Sequence, residues 1–195
     1  MGLQQTRKSV GMEPVIWQNH PETAIGGFTL DTTGLTAGTV LPAGLPIGFD
    51  ESTRKARIIK VATLYENATN TATAYKVKKG HTLIATEFLT DKVNGDASAI
   101  SSIDTSNASY DLITLATTLG VALTEGTALF QAAGAANDVA VPIVEPKGLL
   151  YDAVTVSADE SCSVVLRGTV YHRRISTIPL TIRQKMPLII FSESY

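Results

Sequence analysis

Histidine and cysteine, the side chains that most often serve as bases, nucleophiles and metal ligands, are scarce in this chain. There are three histidines and one cysteine: His20, His81, His172 and Cys162. No Gly-x-Ser-x-Gly sequence would hold a serine nucleophile on a strand-to-helix turn, and no two histidines stand at metal-ligand spacing. His81, Asp104 and Ser106 can be written as a hydrolytic triad, but a chain with so many serines and aspartates offers such a set by chance. The residue types therefore favour a protein that is not an enzyme and needs no cofactor or metal.

Cys162 lies in the strand-like run Ser-Cys-Ser-Val-Val. A single cysteine cannot form an internal disulfide, and free cysteine is commonly a small buried hydrophobe. We therefore expect Cys162 in the core of a protein made in a reducing cytoplasm.

Charge and hydropathy exclude two classes of partner. The net charge is −2, the sequence pI is about 5.9, and basic residues cluster only in pairs, so the electrostatic pattern of a nucleic-acid binder is missing. Phosphate-binding loops with a Gly-Lys-Ser/Thr ending are also missing. No stretch approaches the ~18 uninterrupted apolar residues of a membrane span. We expect neither nucleic acid nor a membrane as a partner.

The composition predicts a folded chain that covers part of its surface. Hydrophobic residues make up 44% of the sequence, as in ordinary globular proteins, whereas charged residues make up only 17%. A typical soluble domain has roughly 25% charged residues. The low charge indicates that some surface is hidden against other chains.

A short sequence repeat is the clearest internal pattern. Leu-Thr-Ala-Gly-Thr-Val-Leu at 35–41 is echoed by Leu-Thr-Glu-Gly-Thr-Ala-Leu at 123–129. Each copy joins a glycine, which allows a positive φ, to residues that suit a strand. We interpret Gly38, Gly44 and Gly126 as structural turns, and we expect the two copies to occupy comparable places in the fold.

Short runs of β-branched and apolar residues alternate with Gly, Pro and Asn turns along the chain, and no amphipathic helix of ten residues is evident. Asn94-Gly95 is a strong hairpin signal. The fold class predicted is mainly β: a compact sandwich or barrel-like (β-tulip-like) domain of short strands with an extended N-terminal arm. The predicted strands are 27–30, 55–65, 74–77, 82–89, 112–116, 153–157, 163–172 and 179–191, the last with a break at Lys185-Met186-Pro187.

The arm spans residues 1–26, ahead of an all-β domain at 27–195 that forms either one body or two lobes joined near 132–147. The arm carries one apolar cluster, Val15, Ile16 and Trp17, and Trp17 is the only tryptophan of the chain. Two placements are open. The cluster either anchors the protein in a pocket of a partner or folds back onto its own domain.

Five segments of the chain carry a resemblance to a known family: GTVLPAGLPIGFDESTRKARIIKVATLYE, AYKVKKGHTLIATEFL, ISSIDTSNASYDLITLATTLG, LTEGTALF and VVLRGTVYHRRI. They closely resemble the head fiber proteins of tailed bacteriophages, which decorate the outer face of the capsid. The most specific matches are IDTSNASYD and KVKKGH, and the resemblance covers roughly residues 26–195.

The resemblance implies an auxiliary protein of the virion without catalytic activity. Its partners would be the major capsid protein and two further copies of itself in a homotrimer, and its location would be the outer capsid surface. Its roles would be to stabilise the shell or to adhere to host or environmental surfaces. Val15, Ile16 and Trp17 would then be a capsid-binding arm, which could add a strand to a sheet edge of the shell.

A glycan- or receptor-binding β module is the alternative. Such a module needs an exposed aromatic platform. Aromatic residues make up only 6% of the chain, and six tyrosines could supply the platform: Tyr65, Tyr75, Tyr110, Tyr151, Tyr171 and Tyr195.

Overall fold

The structure, a computed structural model, describes residues 15–193. The chain is mainly β, with 40% strand and 4% helix, which confirms the predicted fold class. Within residues 15–193, helical structure is limited to a 3₁₀ turn at His172–Arg174 and one α-helical turn, α1, at Leu180–Arg183. Among the described residues, no helix is long and apolar enough to cross a membrane.

Sixteen short strands build the described part of the fold. They are β1 (Glu22–Thr23), β2 (Phe28–Leu30), β3 (Val40–Leu41), β4 (Pro46–Asp50), β5 (Lys55–Ile58), β6 (Val61–Thr63), β7 (Ala74–Lys78), β8 (Phe88–Thr90), β9 (Ala97–Asp104), β10 (Tyr110–Leu115), β11 (Ala128–Ala132), β12 (Gly148–Leu150), β13 (Val154–Thr155), β14 (Ser161–Cys162), β15 (Val164–Tyr171) and β16 (Ile189–Ser192).

The first sheet joins strands from both ends of the chain. Its order is β1-β15-β12-β4-β5-β2-β14, and β16 pairs in parallel with the second half of β15. Its apolar side chains form the larger of two main cores, in which the Phe28 and Phe49 rings lie 4.4 Å apart between centroids. Cys162 is buried in this core, as expected from its apolar surroundings in the sequence.

The second sheet is built from consecutive strands between residues 61 and 132. Its order is β6-β11-β8-β9-β10-β7. Alternation is clear in β10, where Asp111, Ile113 and Leu115 are buried while their neighbours are partly exposed. Strand β11, in contrast, is buried along its whole length. A single bridge between Leu64 and Val77 links the two ends of this sheet. Neither this sheet nor the other closes into a barrel in the described residues, which agrees with the sandwich form of the prediction.

The chain enters the second sheet at residues 59–60 and returns to the first between β11 and β12, residues 133–147. Each sheet has its own apolar core. Strands β3 and β13 form a separate two-stranded sheet. The division of the chain into an arm and one or two lobes stays a prediction.

The single strand predicted at 55–65 is wrong, because it splits between the two sheets. Ile59 donates its N–H to Pro46 O at 2.8 Å, and the next side chain, Lys60, is fully buried. This crossing could not be predicted from the sequence, because the apolar run is nearly continuous through both strands. Without alternation of apolar and polar residues, the pattern does not show where one strand ends and the next begins.

Two other strand predictions are wrong in extent. Within 82–89 only Phe88 and Leu89 are extended in β8, because a turn at Ala85-Thr86 gives Thr86 a φ of 76°. Within 179–191 the first part forms α1 and only the end pairs as β16. The predicted hairpin at Asn94-Gly95 is confirmed, since β8 and β9 are antiparallel around it.

Candidate interaction surface

The apolar cluster of the arm lies against strand β15. Tyr171 donates its backbone N–H to Ile16 O at 2.8 Å, Gln18 donates to Thr169 O at 3.0 Å, and Trp17 forms a bridge with Val170. This segment therefore extends the pairing of β1 along the same side of β15.

Trp17 is held by a second contact on its own domain. Its ring stacks on Tyr151 with centroids 6.1 Å apart, and its Nε1 donates to Tyr151 O at 3.0 Å. Ile16 is buried in the core of the first sheet, whereas Val15 is exposed and its carbonyl accepts a bond from Arg174 at 2.7 Å. Of the two placements open in the sequence, the structure shows these residues folded onto their own chain. A capsid-binding role for the cluster stays a prediction.

The two copies of the sequence repeat form the same local structure. Gly38 and Gly126 have φ values of 82° and 83°. Thr39 N–H bonds to Thr36 O at 3.1 Å, and Thr127 N–H bonds to Thr124 O, also at 3.1 Å. In each copy a tight turn with a positive-φ glycine leads directly into a strand, as predicted.

Each copy is also tied to a neighbouring strand by the same pair of bonds. Gly38 N–H donates to Val156 O, and Val156 N–H donates back to Thr39 O, both at 2.8 Å. In the second copy Gly126 and Thr127 exchange the corresponding bonds with Leu64, at 3.0 and 2.8 Å. The pairing is equivalent, although the first copy joins the two-stranded sheet and the second joins the six-stranded sheet.

The same unit recurs twice more. Gly44, with a φ of 83°, donates to Leu150 O at 2.8 Å, and Leu150 donates back to Leu45 O at 2.9 Å. Thr86 donates to Ile100 O at 2.9 Å, and Ile100 donates back to Glu87 O at 2.7 Å. The Thr86 unit was missed in the sequence because a threonine takes the position that glycine takes in the other three.

Strand β16 presents an apolar face at the margin of the first sheet. Within residues 15–193 it pairs only with β15. Leu188, just before the strand, and Ile190 are 60% and 63% exposed, and two-residue spacing puts both on one face of the extended chain. Leu180 of α1, the preceding element, is exposed as well. Prolines and charges at sheet edges oppose pairing with another chain, and Pro187 and Glu193 flank this strand. The exposed apolar side chains between them make the face of β16 a candidate contact surface.

An exposed tyrosine pair lies at the edge of the second sheet. The rings of Tyr65 and Tyr110 have centroids 5.5 Å apart, and Lys76 Nζ lies 4.9 Å from the Tyr110 ring centroid. Tyr65 is 39% exposed. Partly exposed aromatic rings beside a cation form the kind of platform that sugar recognition uses.

The hydrolytic triad is not brought together. His81 lies beside Asp111, with Nε2 3.3 Å from Oδ2, rather than beside Asp104. Asp104 instead accepts the backbone N–H of Ser106 at 2.9 Å in an exposed turn, and this bond lowers the pKa of its carboxyl. Asp104 and Ser106 therefore shape a turn.

The thiol of Cys162 has low reactivity. Burial, with a smaller effect of Glu160, raises the pKa of its thiol to about 11, so the reactive thiolate is scarce at neutral pH. The described residues contain no group of three His, Cys, Asp or Glu side chains placed to hold a metal ion.

Comparison with known proteins gives no relative for this chain. No family model matches it, no curated protein matches its sequence, and no solved structure matches its fold. The functional argument therefore rests on the residues and surfaces described above.

Proposed function

We propose that this protein is a non-enzymatic auxiliary component of a phage head that binds the major capsid protein on the outer capsid surface as a homotrimer. There it would decorate or stabilise the shell, and it could adhere to host or environmental surfaces. The proposal has its origin in the resemblance of residues 26–195 to head fiber proteins.

The apolar edge at β16 is the structural observation that best supports an assembled protein. Leu188 and Ile190 expose more than half of their surface, and among the described residues β16 forms sheet pairs only with β15. Burying such side chains on association removes apolar area from water, at about 25 cal/mol per Å². The low charge of the whole chain agrees with a surface that is covered in use.

A threefold assembly through β16 can be tested by its mass in solution. Sedimentation velocity at micromolar concentration should give three times the 20.7 kDa of one chain. Ile190→Lys should shift the protein to the monomer, because a buried charge without a partner opposes association. Val139→Lys is the matched control, since Val139 is equally exposed, at 65%, and lies outside β16. A monomeric wild-type protein would refute the trimer.

Capsid binding can be tested separately by co-sedimentation with capsids that lack this protein. Full-length protein should pellet with the shells and saturate at a fixed ratio to the major capsid protein. Deletion of residues 1–14 keeps Ile16, Trp17 and the residues that they contact, so a loss of binding in this variant would assign the capsid contact to residues 1–14. Binding of full-length protein no stronger than to an unrelated particle would refute the function.

Glycan or receptor binding is the second candidate, and the Tyr65–Tyr110 pair favours it. A glycan array should then give signals that Tyr65→Ala and Tyr110→Ala remove, while Tyr171→Ala, at the other sheet, retains them. An array without any signal would leave this candidate without support.

A further inference from the structure

A cleft where the two sheets meet has the features of a ligand site. It has a volume of about 330 Å³, at the lower end of the range of roughly 300–1,000 Å³ usual for small-molecule pockets. Three segments form its walls: the β6 strand, the turn after β7, and the chain that follows the 3₁₀ turn. The polar side chains on these walls are Thr63, Lys78, Lys79, His81, Arg173, Ser176 and Thr177.

The cleft carries positive charge that the protein does not neutralise. Lys78 and Arg173 are exposed, and neither forms an ion pair with an acidic side chain in the range 15–193. The Lys79 ammonium is already bound within the protein, since it donates to Asp111 Oδ1 at 2.6 Å and to Thr105 O at 3.0 Å. Two cations therefore remain available at the mouth of the cleft.

A buried histidine in the wall adds an independent observation. The His81 side chain is only 5% exposed. Its Nε2 lies 3.3 Å from Asp111 Oδ2 without the geometry of a hydrogen bond, and its Nδ1 has no hydrogen-bond partner among residues 15–193. Burial lowers the pKa of its imidazole. The nearby Asp111 opposes this effect, the positive charges of Lys79 and Lys60 add to it, and Glu87 opposes it weakly. Burial is the largest of these effects, and the neighbouring charges modify it.

Strand geometry explains why these groups converge. On β7, Tyr75 and Val77 point into the core, so Lys78 points outward at the end of the strand. The turn that follows contains Gly80 with a φ of 91° and brings His81 back against the sheet. Arg173 arrives from the other sheet in the 3₁₀ turn after β15. The site therefore depends on both sheets.

We propose that this cleft binds a small oxyanion group, such as a phosphate, sulfate or carboxylate. Lys78 and Arg173 would neutralise its charge, and the hydroxyls of Thr63, Ser176 and Thr177 would donate hydrogen bonds. Charge-assisted bonds of this kind are roughly twice as strong as those between neutral groups. The proposal does not depend on the proposed capsid function, since it concerns the folded monomer.

Calorimetric titration of the full chain in low salt tests the site with three probes: inorganic phosphate, glucose 6-phosphate and glucose. Binding of inorganic phosphate would identify a free ion as sufficient. Binding of glucose 6-phosphate alone would identify an esterified phosphate as the ligand, and both results support the site. If only glucose binds, or if no probe binds, the proposal is overturned.

Variants then locate the bound ion. The double variant Lys78→Gln/Arg173→Gln should weaken binding at least about tenfold, since two charge-assisted contacts are lost. Lys92→Gln/Arg167→Gln removes the same charges from residues outside the cleft and should bind nearly as well as the wild type. Equal weakening in both double variants would show a nonspecific charge effect and overturn the site.

His81 provides a readout that does not depend on affinity. In an NMR titration, saturating phosphate should raise the pKa of the His81 imidazole, because a nearby anion favours the protonated ring. An unchanged His81 pKa in saturated protein would place the ion elsewhere and overturn the proposal.

Discussion

Replacing Lys60 by methionine should destabilise the protein more than any surface substitution. Lys60 is 1% exposed and Glu87 is 9% exposed. The Lys60 ammonium lies 2.5 Å from Glu87 Oε1 and donates to Gly34 O at 2.6 Å, while Glu87 Oε2 accepts the N–H of Ile84 at 2.9 Å. The pair thus links the crossing between the sheets to two turns.

The magnitude follows from the burial of both charges. Lys60→Met leaves the Glu87 carboxylate in the core without its cation, and breaking a buried pair in this way costs about 3–5 kcal/mol. For a chain of this size, 1 kcal/mol shifts the Tm by roughly 2–4 °C. We therefore expect the Tm to fall by about 10 °C in thermal unfolding followed by circular dichroism.

The matched control is Lys185→Met. Lys185 Nζ lies 2.9 Å from Glu145 Oε1, but the two side chains are 33% and 61% exposed. Exposed pairs contribute about 0–1 kcal/mol, so the Tm should change by less than about 4 °C. If Lys60→Met lowered the Tm no more than this control, the reasoning about the buried pair would be refuted.

A double-mutant cycle separates the pair from its surroundings. Glu87→Leu alone strands the ammonium, whereas Lys60→Met/Glu87→Leu leaves no buried charge. The double variant should be less destabilised than the sum of the two single variants, since each single change includes the cost of the charge left behind. Additive losses would show that the two charges do not interact.

Three further predictions follow from the turns, the histidine and the arm. Thr86→Gly should raise the free energy of unfolding in urea by up to about 1 kcal/mol, because Thr86 has a φ of 76°. Gly126→Thr at the equivalent turn should lower it by about 1–2 kcal/mol. A destabilising Thr86→Gly or a stabilising Gly126→Thr would contradict the equivalence of the two turns. The pKa of His81 in the folded protein lies below its unfolded value of about 6.5, so on acidification the unfolded chain binds more protons than the folded chain. The contribution of His81 to stability is therefore complete above about pH 6.5 and is lost as the pH falls below it. His81→Gln should flatten the decline of the unfolding free energy between pH 7.5 and 5.5, and an unchanged slope would refute this account. Trp17→Tyr should lose the hydrogen bond from the indole to Tyr151 O and should unfold at a lower urea concentration than the wild type. In the wild type, the fluorescence of the single tryptophan should shift to the red in the same transition as global unfolding. A fluorescence change that precedes unfolding would show that the arm detaches first.

The predictable part of the fold was its class and its turns. Gly and Pro between short β-branched runs indicate strands, and a glycine that needs a positive φ marks a turn wherever it occurs. Gly38 and Gly126 were found in this way. Thr86 was not, because a β-branched residue at positive φ is uncommon and gives no sequence signal.

Crossings and partners were harder to predict. The division of 55–65 between two sheets depends on Lys60, whose partner Glu87 is 27 residues away, and sequence alone does not show that pairing. Trp17 could be identified as an anchor, but its choice of Tyr151 on its own domain depends on the tertiary structure. The charged cleft joins residues about 90 positions apart, so it too emerges only from the fold.

Quantitative mass spectrometry of purified phage particles tests the central claim most directly. The particles are purified from the phage that encodes this sequence. Intact particles are labelled on their surface, so that the labelled proteins are those that face outward. We predict that the protein is present at a fixed copy number relative to the major capsid protein, in threes per binding position, and that its exposed lysines react before the shell is opened. Absence from the particles, or labelling only after the shell is broken, would contradict the proposed function.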